Sequence, residues 1–271
     1  MNPGERIAKR FAALKTEGRA GLVTFITAGD PDPKTSAAIL DGLPAAGADV
    51  IEIGMPFSDP MADGPVIQAS SLRAIRAGQK MAGTLDMVRR FRARDADTPI
   101  ILMGYFNPIH HYGPAKFASD AAQAGVDGLI VVDLPPEEES ELRGPADRAG
   151  LSLIRLVSPN TSDERIATLM QGTSGFVYYV SITGITGTRS AEATGVAKSV
   201  ARIRKATKLP VAVGFGIKTP AQAEEIARVA DAAVVGSAIV EKIASGDAKS
   251  VLGYVSELAQ GVRKARVGVR A

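Results

Sequence analysis

Glu52 is the first residue whose position asks for chemistry. It lies inside the apolar run Val50-Ile51-Glu52-Ile53-Gly54, where burying a carboxylate is costly unless it is paired or protonated. If the run is a strand, alternation puts Ile51 and Ile53 on one face and Glu52 on the other. With the isoleucines against helices, Glu52 points inward, where desolvation raises a carboxyl pKa and suits it to general-acid work. The competing reading is a core carboxylate satisfied by amides or an Arg. Seven and eleven residues on, in the stretch Met55-Pro56-Phe57-Ser58-Asp59-Pro60-Met61-Ala62-Asp63-Gly64-Pro65, stand Asp59 and Asp63. Asp59 before Pro60 and Asp63 before Gly64 both read as turn residues too. Two carboxyls in different environments can split acid and base roles, and Glu52 with Asp63 is the catalytic pair expected.

Glycines suggest an anion site. Gly214-Phe215-Gly216-Ile217 and Val235-Gly236-Ser237 end apolar runs, and a helix is expected from Ala238 onward. Open backbone amides and a helix N-terminus favour a dianion. The hydroxyl-rich Thr183-Gly184-Ile185-Thr186-Gly187-Thr188 reads as a loop able to close over it. Gly216, Gly236 and Ser237, with Thr186 and Gly187 of that loop, are therefore expected to hold a phosphorylated ligand; the competing reading is ordinary turn glycines. Aromatics are scarce, with eight Phe, five Tyr and no Trp. Phe25, Tyr105, Tyr178 and Phe215 fall in or just after apolar runs, placed either to line an apolar slot or to pack in the core. Absent Cys excludes a disulfide framework, a thiolate metal site and a cysteine nucleophile. The two His, His110 and His111, are adjacent and read as loop surface, so no metal site is expected. No Lys falls in an apolar run, which leaves a Schiff-base aldolase without its nucleophile in the usual place.

These residues need elements to position them. The chain has 271 residues, 45% apolar and 23% charged, with a net charge of +3. That is an ordinary globular balance with no large field toward nucleic acid. The basic residues Arg263, Lys264, Arg266 and Arg270 read as a solvated tail from about 261 to 271. No apolar run approaches the roughly 20 residues of a membrane span, and the N-terminus lacks a signal h-region; a cytoplasmic protein without membrane partner is expected. Eight short β-branched runs, at 21–27, 48–53, 99–103, 128–132, 152–157, 175–180, 210–215 and 232–235, alternate with amphipathic stretches. Near-continuous apolar runs mark strands buried on both faces. Helix starts are signalled at Asp32-Pro33, Asp133-Leu134-Pro135-Pro136 and Thr219-Pro220. An open doubly wound sheet would carry a GxGxxG turn after its first strand, whereas here the first run ends Thr27-Ala28-Gly29-Asp30-Pro31. The pattern predicts one α/β domain over 1–271, a (β/α)8 TIM barrel with an extra N-terminal helix at 3–16 and further helical material near 69–77 and 83–94. Chemistry in such a barrel sits at the C-terminal strand ends, where all the candidates above fall.

Together these residues resemble the alpha subunit of tryptophan synthase. The segment from Ile51-Glu52-Ile53-Gly54 to Asp63-Gly64-Pro65 is similar to that family's signature almost letter for letter. Thr27-Ala28-Gly29-Asp30-Pro31, Asp133-Leu134-Pro135, Thr183-Gly184-Ile185-Thr186-Gly187, Gly214-Phe215-Gly216-Ile217 and Gly236-Ser237-Ala238 follow in the family's order. The resemblance implies a lyase that cleaves indole-3-glycerol phosphate to indole and glyceraldehyde 3-phosphate without cofactor or metal. It implies indole in the aromatic slot and phosphate in the glycine cradle, with Asp63 ionised beside the ring N–H and Glu52 moving the protons. It also implies a pyridoxal-phosphate beta subunit as partner, in an alpha2beta2 tetramer. Two other readings remain open at this point: a different phosphate-binding barrel, such as an isomerase or epimerase, and a catalytically idle regulatory subunit.

Overall fold

A computed structural model describes residues 4–181, 189–214 and 216–265. The strands are β1 (Gly21–Thr27), β2 (Val50–Gly54), β3 (Ile100–Gly104), β4 (Gly128–Val131), β5 (Ser152–Leu153), β6 (Arg155–Val157), β7 (Val177–Val180), β8 (Val211–Gly214) and β9 (Ala232–Val235). All pair in parallel, in the order β5-β4-β3-β2-β1-β9-β8-β7-β6. β5 and β6 are the two halves of one barrel strand, interrupted at Ile154. The first half pairs with β4 and the second with β7. Ile154 N–H still donates to Leu129 O at 2.9 Å, so the sheet closes on itself as the eight-stranded barrel expected.

The strand alternation sorts side chains into two cores. Leu22, Ile26, Ile51 and Ile53 face outward into the layer between sheet and helices. Val23, Val50, Ile101, Ile130 and Phe176 fill the barrel, and α1 (Glu5–Thr16) plugs its N-terminal end with Ile7, Phe11 and Leu14. Phe11 and Phe176 meet there at 5.7 Å between ring centroids.

The N-terminal rim carries a fourfold repeat that single-run reading does not reveal. The residue at the foot of every second barrel strand exchanges two hydrogen bonds with the preceding strand. Asp49, Asp127, Ser174 and Asp231 each donate N–H to the carbonyl of Leu22, Ile100, Leu153 and Val211 respectively. Each side-chain oxygen accepts the N–H of that same partner, at 2.8–2.9 Å. The three buried or half-buried aspartates are neutralised by Arg19, by Arg6 with Arg92, and by Arg204. Satisfied in this way, the rim is a stability device, and the opposite face is left free for chemistry.

The helices carry most of the predicted caps, with three departures. Asp32 caps α2 (Pro33–Ala46) by accepting from Lys34 and Thr35 N–H. Thr219 and Gln222 form a capping box on α10 (Pro220–Ala227). The extra helices are α3 (Pro65–Arg76) and α4 (Met81–Arg92), and α6 (Pro114–Ala124), α8 (Asp163–Met170) and α9 (Arg189–Ala206) follow strands β3, β6 and β7 in chain order. Asp133, however, starts no helix. Pro135 and Pro136 hold their preceding residues away from the α region, so α7 (Ser140–Ala149) begins only after a turn. Asp133 instead accepts the N–H of Phe106 at 2.8 Å, at the first turn of α5 (Phe106–Tyr112). That short helix also carries His110 and His111, exposed on a helix rather than on a loop. The basic C-terminal stretch is a third correction: Arg263 and Lys264 belong to the last turn of α12 (Ala248–Lys264), whose apolar stripe buries Leu258 and Val262. Basic side chains suit that end of the helix dipole. Residues 266–271 lie outside the described residues.

Candidate active site

A cavity of about 210 Å³ opens at the C-terminal ends of the barrel strands. β2 delivers Glu52 to it, inward of the outward-packed Ile51 and Ile53. The side chain is 1% exposed, and its Oε1 has no hydrogen-bond partner among the described residues. Burial alone pushes its carboxyl up to about 8. At neutral pH Glu52 is therefore predominantly a neutral acid, and the reading of a carboxylate satisfied by amides or an Arg does not hold.

Asp63 reaches the same cavity from the loop after β2. The backbone of Asp63 is held on both sides. Asp63 N–H donates to Pro60 O at 3.0 Å, and its carbonyl accepts from Gln68 of α3 at 2.8 Å. α3 is in turn pinned to the barrel, because Arg73 forks onto the fully buried Asp30 at 2.7 and 2.9 Å and Ser70 bonds Thr27 at 2.6 Å. Burial moves the Asp63 carboxyl up from the ordinary aspartate range, while a hydrogen bond from Tyr105 works in the opposite direction.

Phe25 and Tyr178 line the cavity, as do Gly216, Gly236 and Ser237. Gly236 caps α11 (Ser237–Ser245), whose first N–H groups face an incoming ligand with the positive end of the helix dipole. Gly216 has φ 79°, a conformation that a side chain would strain. Thr186, Gly187 and Phe215 lie outside the described residues. Met103, Val132, Leu156 and Val234 also line it; sequence reading does not single them out, although each is an inward position near a strand end that the alternation rule alone identifies.

Tyr105 sits differently from the slot expected of it. It lines a small recess that adjoins this cavity and shares Phe25, Asp63, Met103 and Val132 with it; it is 3% exposed, with its ring against Phe57 at 5.4 Å. Its hydroxyl donates to Asp63 Oδ2 at 2.9 Å and accepts Ala62 N–H at 3.0 Å. Tyr105 thus orients Asp63. Tyr105→Phe is expected to lower kcat/KM about 10-fold while the melting temperature changes little, since one buried bond is lost and the ring packing stays. Unchanged kinetics would remove this role.

Gly214 at the end of β8 leaves room for Tyr178. A Cβ at Gly214 would stand 2.5 Å from Tyr178 Oη and 2.9 Å from Val234 Cβ. Gly214→Ala is expected to cost about 1–3 kcal/mol of stability and to displace the Tyr178 ring from the cavity wall. Adding Tyr178→Phe removes the nearest atom and should recover part of the loss, measurable by thermal unfolding of the single and double variants.

Among the described residues no group of three or more His, Cys, Asp and Glu is arranged to hold a metal ion, and no helix is long and apolar enough to cross a membrane.

Fold and cavity together define a (β/α)8-barrel enzyme with two carboxyls of different exposure at its mouth. A family model for the tryptophan synthase alpha chain matches residues 11–267. The barrel superposes on tryptophan synthase subunit alpha from Legionella pneumophila str. Paris with TM-score 0.89 at 41% identity, over 97% of this chain and 99% of that one. A chain in tryptophan synthase from M. tuberculosis, in an open form, gives TM-score 0.87 at 34% identity, over 95% and 98%. A structure from Aquifex aeolicus VF5 gives TM-score 0.89 at 35% identity, over 97% and 100%. The chain belongs to the tryptophan synthase alpha chain family, and its place is in tryptophan biosynthesis.

Proposed function

We infer that this chain cleaves indole-3-glycerol phosphate to indole and glyceraldehyde 3-phosphate, a retro-aldol lyase reaction carried by Glu52 and Asp63. The observation that carries the reading is the buried Glu52, held neutral at working pH and sharing one cavity with Asp63. Glu52 gives its proton to C3 of the indole ring, which places positive charge on the ring nitrogen. Asp63, ionised, accepts the N–H hydrogen bond and stabilises that charge. The Glu52 carboxylate then takes the proton from the glycerol hydroxyl next to the ring. The C–C bond breaks, the aldehyde leaves, and its electron pair restores the aromatic ring. One group can serve both steps because its pKa lies near working pH. Phe25 and Tyr178 supply the apolar walls for indole, while the amides at Gly216, Gly236 and Ser237 receive the phosphate. The chain needs neither metal nor cofactor in this reaction.

The family membership extends the proposal to a partner. Indole passes to a tryptophan synthase beta subunit, which carries the pyridoxal phosphate, within a cytoplasmic alpha2beta2 tetramer. Indole release from indole-3-glycerol phosphate, assayed with the isolated chain and again with added beta subunit, tests both parts. The expected result is slow release alone and faster release together. No indole under either condition would overturn the lyase assignment.

A further inference from the structure

We propose that Lys218 is a further substrate-binding residue, a cation that takes hold of the phosphate ester at the glycine-lined end of the cavity. The proposal rests on the lyase reading above. Among the described residues, the charged residues lining the cavity are Glu52, Asp63 and Lys218, so Lys218 is the one basic residue there. A dianionic ester entering a space that already holds the Asp63 carboxylate gains from a compensating positive charge. Backbone amides at Gly216 and Gly236 supply shape and partial charge, but no formal charge.

The backbone of Lys218 is held by two hydrogen bonds, its ammonium only by one long ion pair. Its N–H donates to Gln222 Oε1 at 2.8 Å, and its carbonyl accepts from Tyr254 Oη at 2.6 Å. The capping box of α10 follows directly. The side chain is 61% exposed, and its Nζ lies 3.7 Å from Glu241 Oε1, itself 46% exposed. That separation is beyond hydrogen-bond length, and an exposed pair of this kind holds weakly. Glu241 stands on α11, one turn past the N-terminus that borders the cavity. An anion seated at that N-terminus competes with Glu241 for the same ammonium, and a flexible four-carbon stem can serve either.

Calorimetric binding of glycerol 3-phosphate and, separately, of indole to the wild-type chain, Lys218→Ala, Lys218→Arg and Glu241→Gln tests this. Lys218→Ala is expected to weaken glycerol 3-phosphate about 5- to 10-fold, with a shallower salt dependence. Indole affinity should stay unchanged. Lys218→Arg should hold the anion within about twofold of wild type, and Glu241→Gln should bind it as tightly or more tightly. If Lys218→Ala binds glycerol 3-phosphate like wild type with the same salt slope, the proposal falls and the lyase reading stands. If the wild-type chain binds neither probe, both fall.

Discussion

Asp63→Asn is expected to lower kcat/KM for indole release by about 10²- to 10³-fold with the fold intact. The amide keeps the shape of the side chain and can still accept the hydrogen bond of Tyr105 Oη, now 2.9 Å from Asp63 Oδ2. What it removes is the negative charge opposite the ring nitrogen at the moment that nitrogen becomes cationic. In a half-buried site such a charge is poorly replaced by water. A barrel isomerase or epimerase would need a base but no partner for a ring nitrogen, and in that case the same change would be mild. The size of the loss therefore separates the two chemistries, provided unfolding curves of wild type and variant coincide. A loss below about threefold would remove Asp63 from the reaction.

The second large effect belongs to Glu52→Gln. A neutral amide occupies the space of the neutral acid but cannot pass a proton to carbon, so kcat should fall by about 10²- to 10⁴-fold. Stability should move the other way. The folded-state pKa of about 8 stands above the ordinary 4.5, so between those values the folded chain binds more protons than the unfolded one. Stability contributed by the neutral carboxyl is complete below about pH 4.5 and is lost as pH rises to about 8, by at most roughly 1.4 kcal/mol per pH step. Glu52→Gln abolishes that slope. At pH 8 and above, the variant should melt at a higher temperature than wild type while being nearly inactive. An inactive variant that also melts lower at every pH would mark Glu52 as structural.

Much of this was legible in residue order because strand alternation is a rigid rule. Val50-Ile51-Glu52-Ile53-Gly54 admits one arrangement once the isoleucines face helices, and burial then dictates the protonation state. The runs at 21–27 and 232–235 coincide with β1 and β9 because both faces of these strands are apolar. Relations that depend on a second element were not legible. Tyr105 follows an apolar run and reads as slot wall, yet its hydroxyl finds a carboxylate on the loop of the neighbouring strand. Asp133 carries a cap signal that the two prolines after it cancel, and it serves the helix of the preceding unit instead. The rim of Asp49, Asp127, Ser174 and Asp231 spaces its members by whole β-α-β units, far beyond any local window. Lys218 sits in a helix-start sequence and gives no sign of the cavity until Gly216 and α11 are placed beside it.

The pH dependence of kcat/KM for indole release by the isolated chain reaches the central claim most directly, because it reports the acid of the free enzyme. Activity should hold near neutrality and decline as pH rises through about 8, and the residual rate of Glu52→Gln should lack that decline. A wild-type profile flat from about pH 6.5 to pH 9.5, or the same decline persisting in Glu52→Gln, would contradict a buried Glu52 as the proton donor.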